Sequence, residues 1–185
     1  MRTRTLSQTM IATATQQWMR DLAWVQTLQW PIPIAELIAD AGGRIRWLTN
    51  APAGFHGATM PKTQEHFDVW INPQDSSTVQ RFTMAHEFAH VLLGHLAHKQ
   101  PLWWFETEAN TAAAELLLPW SQLQTYAPDT PITTMDALTH WMRTAGQEIL
   151  QQSGISYTAL VYHLHDIAWA TETATTMPSV HRVSS

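Results

Sequence analysis

The sequence predicts an α+β domain, mainly helical, with a small three-stranded sheet placed ahead of a helix that carries two histidines. Three observations predict it. Apolar residues recur at helical spacing in several separate segments of the 185-residue chain. Three short stretches between Arg44 and Asn72 have the alternation or composition of strands. The run His86-Glu87-Phe88-Ala89-His90 then lies within a segment whose apolar period is that of a helix.

Taken in order, Ile11, Trp18, Leu22, Val25 and Leu28 recur at loosely helical spacing from Ser7 to Trp30, and Trp30-Pro31-Ile32-Pro33 breaks the chain, which predicts one N-terminal helix within residues 1–30. Ile34 to Ala41 reads as a second helix stopped by Gly42 and Gly43. Arg44-Ile45-Arg46-Trp47-Leu48 alternates as a half-buried strand does. Further strands are expected around Phe55 to Met60 and Phe67 to Asn72, with Pro61 to His66 as a hairpin connection. The histidine helix is expected from about Val79 to Leu96, capped by Ser76, Ser77 or Thr78, and a partner helix from about Glu106 to Leu118, stopped by Pro119. These two make a helix pair over residues 79–118. Helical segments near Met135 to Gln151 and Tyr157 to Ala168 are joined by Ser153-Gly154. The expectation is a single domain over residues 1–170, followed by a flexible Thr- and Ser-rich tail, 171–185.

Composition narrows the chemistry. An apolar share of 45% suits a globular domain with a real core. With no cysteine, a disulfide framework, a thiolate metal site and a cysteine nucleophile are all excluded, so a transition metal must be held by histidine and carboxylate. The N-terminal segment lacks the continuous apolar core of a secretory signal, and no run approaches a membrane span of about 18 residues, so a cytoplasmic protein is expected. A net charge of -5, with ten Lys and Arg scattered along the chain, leaves no footprint for direct nucleic-acid binding.

The His86 to His90 run carries the chemistry. Side chains at i and i+4 of a helix stand one above the other, so His86 and His90 can reach one cation while Glu87, about 100° round the helix, lies beside a water on that cation. The alternative, two core histidines satisfied by backbone, has no need of a carboxylate at that offset. Catalytic zinc usually takes three protein ligands and keeps a fourth position for water. An extension with glycine and histidine three and six residues after the second histidine is absent, since those positions are Leu93 and Leu96. On a continuing helix His95 points about 140° away from His90, and both it and His98 read as surface residues. The third ligand is then a glutamate from Glu106-Thr107-Glu108-Ala109-Asn110. Glu108 shares a stripe with Ala112 and Glu115, but periodicity leaves Glu106 open.

The block from Arg81 to His90, followed by Glu108-Ala109-Asn110 and by Ala114-Glu115-Leu116-Leu117-Leu118-Pro119, resembles the ImmA/IrrE family of metallopeptidases. Similar runs are Pro33-Ile34-Ala35-Glu36-Leu37-Ile38 before the Gly-ended turn, Ile71-Asn72 at a strand end, and Ser156 to Tyr162, so that the likeness spans roughly residues 30–168. Ala89, often glycine in that family, and Ala112, often phenylalanine, depart from its pattern.

The resemblance implies a zincin-like, gluzincin-type site in which His86, His90 and Glu108 hold Zn2+, or Mn2+, and Glu87 is the general base. It also implies a partner, since such proteins commonly cleave a helix-turn-helix transcriptional repressor. The expected activity is therefore site-specific, metal-dependent endoproteolysis through an activated water, without a covalent intermediate. The alternative is a non-cleaving metal-binding regulatory protein, or one half of a toxin-antitoxin-like pair. Tyr162 or His163 is a candidate donor to the oxyanion, Asn110 and Glu115 are candidates to orient the imidazoles, and Trp103 and Trp104 are candidates to line a substrate groove.

Overall fold

In the computed structural model, residues 2–63, 65–100 and 102–171 are described, with side chains from Met10 onward. The tail expected to be flexible lies outside the described residues beyond Thr171. Among the described residues, no helix is long and apolar enough to cross a membrane.

Where one N-terminal helix was expected, the chain forms α1 (Arg2–Asp21) and the single turn α2 (Ala23–Gln26), with Leu22 extended between them. The break has a packing cause. Met19 and Val25 are both fully buried, yet six positions on a straight helix turn through about 600°, which would leave them about 120° apart. Turning at Leu22 brings both onto the core. The chain then passes Pro31 and Pro33 into α3 (Ile34–Asp40), which buries Ile34 and Ile38 one turn apart.

The three expected strands form one sheet: β1 (Gly43–Trp47), β2 (Gly57–Pro61) and β3 (Phe67–Ile71). Its order is β1-β3-β2, with β1 parallel and β2 antiparallel to the central β3. Phe67, Val69 and Ile71 alternate onto the core face. Asp68 points the other way, where Arg46 from β1 (3.5 Å) and Lys62 beyond β2 (3.4 Å) neutralise it. Thr59 is paired directly with Val69 and so shares the core face.

That face is covered by α4 (Ser77–Leu92). Ser76 starts the helix, its hydroxyl accepting from the Val79 amide at 3.4 Å, a cap worth about 1 kcal/mol. The helix ends earlier than its apolar pattern suggests, because Gly94 takes the left-handed conformation at φ 71°. A single 3-10 turn, His95–Ala97, follows. The sheet lies so close to α4 that a Cβ at Gly57 would overlap Thr83.

Helix α5 (Phe105–Leu117) stops before Pro119 as expected and packs along α4. Ala85 and Ala89 of α4, with Ala109, Ala112 and Ala113 of α5, are all fully buried, so the two backbones approach closely. Beyond α6 (Trp120–Leu123), the expected helix from Met135 is divided into α7 (Met135–Trp141), a π turn over Met142–Gly146, and α8 (Gln147–Ser153). The Thr144 hydroxyl donates to the carbonyls of Trp141 (3.1 Å) and His140 (3.5 Å), competing with the backbone ladder where it widens. Helix α9 (Tyr157–Asp166), capped by Ser156, closes the core with Leu160, Val161 and Leu164.

Two polar ties fix the helices. Arg81 of α4 donates to the carbonyls of Ile32 (2.6 Å) and Ser153 (2.9 Å), joining three segments distant in sequence. Glu115 of α5 lies neither on the surface nor behind an imidazole. It is fully buried and receives Arg20 of α1 in a two-point contact of 2.7 and 3.2 Å, with Arg20 over the Trp120 ring at 4.2 Å. Removing Arg20 would strand a buried carboxylate at a cost of about 3–5 kcal/mol.

His163 is buried close to that pair with neither ring nitrogen bonded. Burial, aided by the positive charge of Arg20, lowers its pKa to about 3. Since the folded state holds the neutral ring and the unfolded ring takes a proton near pH 6.5, the contribution is intact above pH 6.5 and is lost as pH falls from there towards 3. His163→Leu is expected to flatten the fall in melting temperature between pH 7 and 4 relative to the parent, and equal slopes in the two proteins would refute this.

Candidate metal centre

Helix α4 presents His86 and His90 one turn apart, both largely but not wholly buried, at the junction with the first turn of α5. Their Nε2 atoms are 3.1 Å apart. Glu106 closes the triangle, with Oε2 3.3 Å from His86 Nε2 and Oε1 3.6 Å from His90 Nε2. Two ligands bound tetrahedrally at about 2.0–2.1 Å from zinc stand about 3.3 Å from each other, so these three groups fit the donor set and spacing of one such ion. Among the described residues they are the only His, Asp or Glu groups that converge in this way.

Of the two glutamates in the first turn of α5, the structure therefore brings Glu106, and not Glu108, to the histidine pair. The reason is rotational. Asn110 Oδ1 lies 3.1 Å from His86 Nδ1, which fixes the face of α5 turned towards α4. Glu106 is one turn before Asn110 on that face, whereas Glu108 is about 200° from Asn110. Glu108 instead meets His95, Oε2 to Nε2, at 3.0 Å. Asn110 is placed for the orienting role considered for it: with its carbonyl oxygen accepting from Nδ1, a neutral His86 would turn its Nε2 lone pair to the shared point.

His95 is not a surface residue. The expectation assumed that α4 continued, but Gly94 turns the chain back, so that His95 is buried with its Nδ1 2.9 Å from His90 Nδ1. Its ring stacks on Phe105 at 3.9 Å and 6°. Gly94, inside the apolar period, was the available sign of this turn. His98 is exposed, as expected.

Glu87 is buried on the side of α4 facing the sheet. The Thr59 hydroxyl donates to its Oε2 at 2.8 Å, with its own backbone carbonyl a further acceptor at 3.2 Å. Thr59 carries no sequence signal; only the register of β2 against β3 puts it there. Burial raises the Glu87 pKa, while His86 and Thr59 oppose the rise, which moves the carboxylate towards the range useful for a base at neutral pH. For His86, burial acts downward but is outweighed by Glu106, Glu87 and Asn110 together, so its pKa is raised. Burial, then the charge of His86 and, more weakly, of His95, lowers that of His90 to about 4 against the pull of Glu106, so this ring is neutral and ready to ligate across the physiological range. The neighbouring His86 is the main cause of the lowered pKa of Glu106, against the opposing effect of burial.

Two other expectations do not meet the site. His163 is buried beside Arg20 and Tyr162 is exposed, because α9 packs towards the C-terminal part of α5, where Ala159 lies with Ala114 and Leu117. Neither donor is brought to the histidine pair. Trp103 is exposed and lies edge-on to Trp104 at 5.6 Å, immediately before Phe105 and Glu106, so these rings border the first turn of α5.

The sequence profile of the IrrE N-terminal-like domain matches residues 49–165, which hold Thr59, His86, Glu87, His90, His95, Glu106, Glu108 and Asn110. No curated protein matches the chain. Among solved structures, a Mycobacterium tuberculosis transcriptional regulator has the same fold, with a TM-score of 0.53 and 15% identity, over 84% of this chain and 46% of that one. The chain thus spans about half the length of that protein.

Glu106→Ala is expected to lower zinc affinity by more than the ~10–100-fold of an outer-shell change, read by competition with a chelator. Zinc held as tightly without Glu106 as with it would place the third ligand elsewhere.

Proposed function

We propose that this chain, which belongs to the ImmA/IrrE family of IrrE N-terminal-like domains, is a metal-dependent endopeptidase that cleaves a partner regulatory protein, a helix-turn-helix transcriptional repressor. The observation that carries the reading is the position of Glu87: a buried carboxylate, held by Thr59, next to the three ligands that converge among the described residues. A metal staple would take a fourth protein ligand and would have no use for that carboxylate.

In this reading His86, His90 and Glu106 hold the ion, zinc or manganese, and Glu108, the glutamate favoured by the family resemblance, supports the site from behind. The ion would supply a water of lowered pKa and polarise the scissile carbonyl. The protein supplies the rest. Asn110 keeps the His86 Nε2 lone pair facing inward. Thr59 occupies one oxygen of Glu87, so Oε1 is the oxygen left to take the proton of the attacking water and pass it to the departing amine. The exposed Trp103 offers an apolar contact beside Glu106 for an extended substrate segment.

Glu87→Gln is expected to retain zinc and fold while losing about 10²–10⁴-fold in cleavage rate. The direct measurement incubates zinc-loaded parent and variant with a helix-turn-helix repressor encoded beside this protein and reads intact mass. Cleavage at one bond by the parent alone is the expected outcome; a stable, uncleaved complex with both would favour the non-cleaving regulator instead. Thr59→Val addresses the base itself. The hydroxyl lowers the Glu87 pKa, so its removal raises that pKa and should move the acid limb of the kcat/KM profile to higher pH. An unmoved limb would mean that Thr59 does not tune the base.

A further inference from the structure

We propose that Glu108 and His95 are positioning residues that set the tautomer and orientation of His90, forming a chain Glu108–His95–His90 directed at the metal position. The proposal rests on the reading of His86, His90 and Glu106 as ligands and assigns to this chain's other two conspicuous groups a role that the ligand set does not include.

The polarity of the chain follows from its carboxylate end. Glu108 Oε2 faces His95 Nε2 at 3.0 Å, and an ionised carboxylate only accepts, so His95 Nε2 carries the hydrogen. A neutral His95 then has a bare Nδ1. That atom is 2.9 Å from His90 Nδ1, which must therefore be the donor. With its hydrogen on Nδ1, neutral His90 has its lone pair on Nε2, the atom 3.1 Å from His86 Nε2 and 3.6 Å from Glu106 Oε1. Every hydrogen is placed by the carboxylate, and the result is the tautomer that a metal at that point requires.

The geometry is held from outside the chain as well. The His95 ring lies flat on Phe105 and its side chain is almost fully buried, so it cannot rotate freely. Gly94, with its left-handed φ of 71°, turns the backbone back so that a residue only five after His90 lies beneath it. Glu108 comes from the same helical turn of α5 as Glu106, so one helix supplies the third ligand from one side and the support for His90 from another.

The test uses the full chain with His95→Phe, which preserves an aromatic ring against Phe105, together with Glu108→Ala and Glu108→Gln. Zinc affinity is measured by chelator competition, and the His90 tautomer by long-range nitrogen–proton NMR of histidine-labelled protein with and without zinc. His95→Phe and Glu108→Ala should each lose about 10–100-fold in affinity and show a mixture of His90 tautomers before zinc is added. Glu108→Gln, whose amide oxygen can still accept, should recover most of the affinity and the single Nδ1–H tautomer, which a merely structural role would not predict. Unchanged affinity and tautomer in His95→Phe and Glu108→Ala would overturn the proposal. So would a loss in Glu108→Ala as large as that in Glu106→Ala and not rescued by Gln, because Glu108 would then be a ligand itself. Absence of zinc binding by the parent would remove the metal reading, and the proposal with it.

Discussion

The close approach of α4 and α5 is the constraint on which the rest of the site depends. It is made by absent bulk: five alanines, Ala85, Ala89, Ala109, Ala112 and Ala113, are fully buried. Only at that separation can Asn110 reach His86, and Glu106, one turn away, approach both imidazoles. Arg81 and the Arg20–Glu115 pair then hold the two helices against the flanking segments at the end of the seam away from the histidine pair.

The sheet contributes through a single register. Because β2 runs antiparallel to β3 with Thr59 opposite Val69, a hydroxyl on the core face reaches over to Glu87. A shift of one residue would turn Thr59 outward and leave a buried carboxylate facing an apolar surface. Glu87, though carried by the helix, thus depends on strand pairing for its side-chain hydrogen bond.

How much of this could be read beforehand depends on the range of the determining interaction. The helix with His86, Glu87 and His90, the stop at Pro119 and the three strands all follow from local periods and breakers, and the structure has them with boundaries moved by a few residues. Expectations failed where a distant or conformational cause decided. The N-terminal helix breaks at Leu22 because Met19 and Val25 must both meet the core. Glu115 is buried because Arg20, 95 positions away, meets it. The choice between Glu106 and Glu108 depends on which face of α5 meets α4, which Asn110 reveals only once the helices are packed. His95 is buried because Gly94 ends the helix whose continuation would turn that side chain outward.

The exposure of Glu106 sets the site apart from a sealed one. Its side chain is 53% exposed, whereas those of His86 and His90 are 14% and 15% exposed. One proposed ligand can therefore swing into solvent by side-chain rotation alone, on the fast timescale of surface rotamers, while the two imidazoles stay fixed. Metal exchange would then require no unfolding and no helix movement. A metal held there would equilibrate with the surrounding pool, so its occupancy would follow supply within the life of the protein and need not record the conditions under which the chain was made.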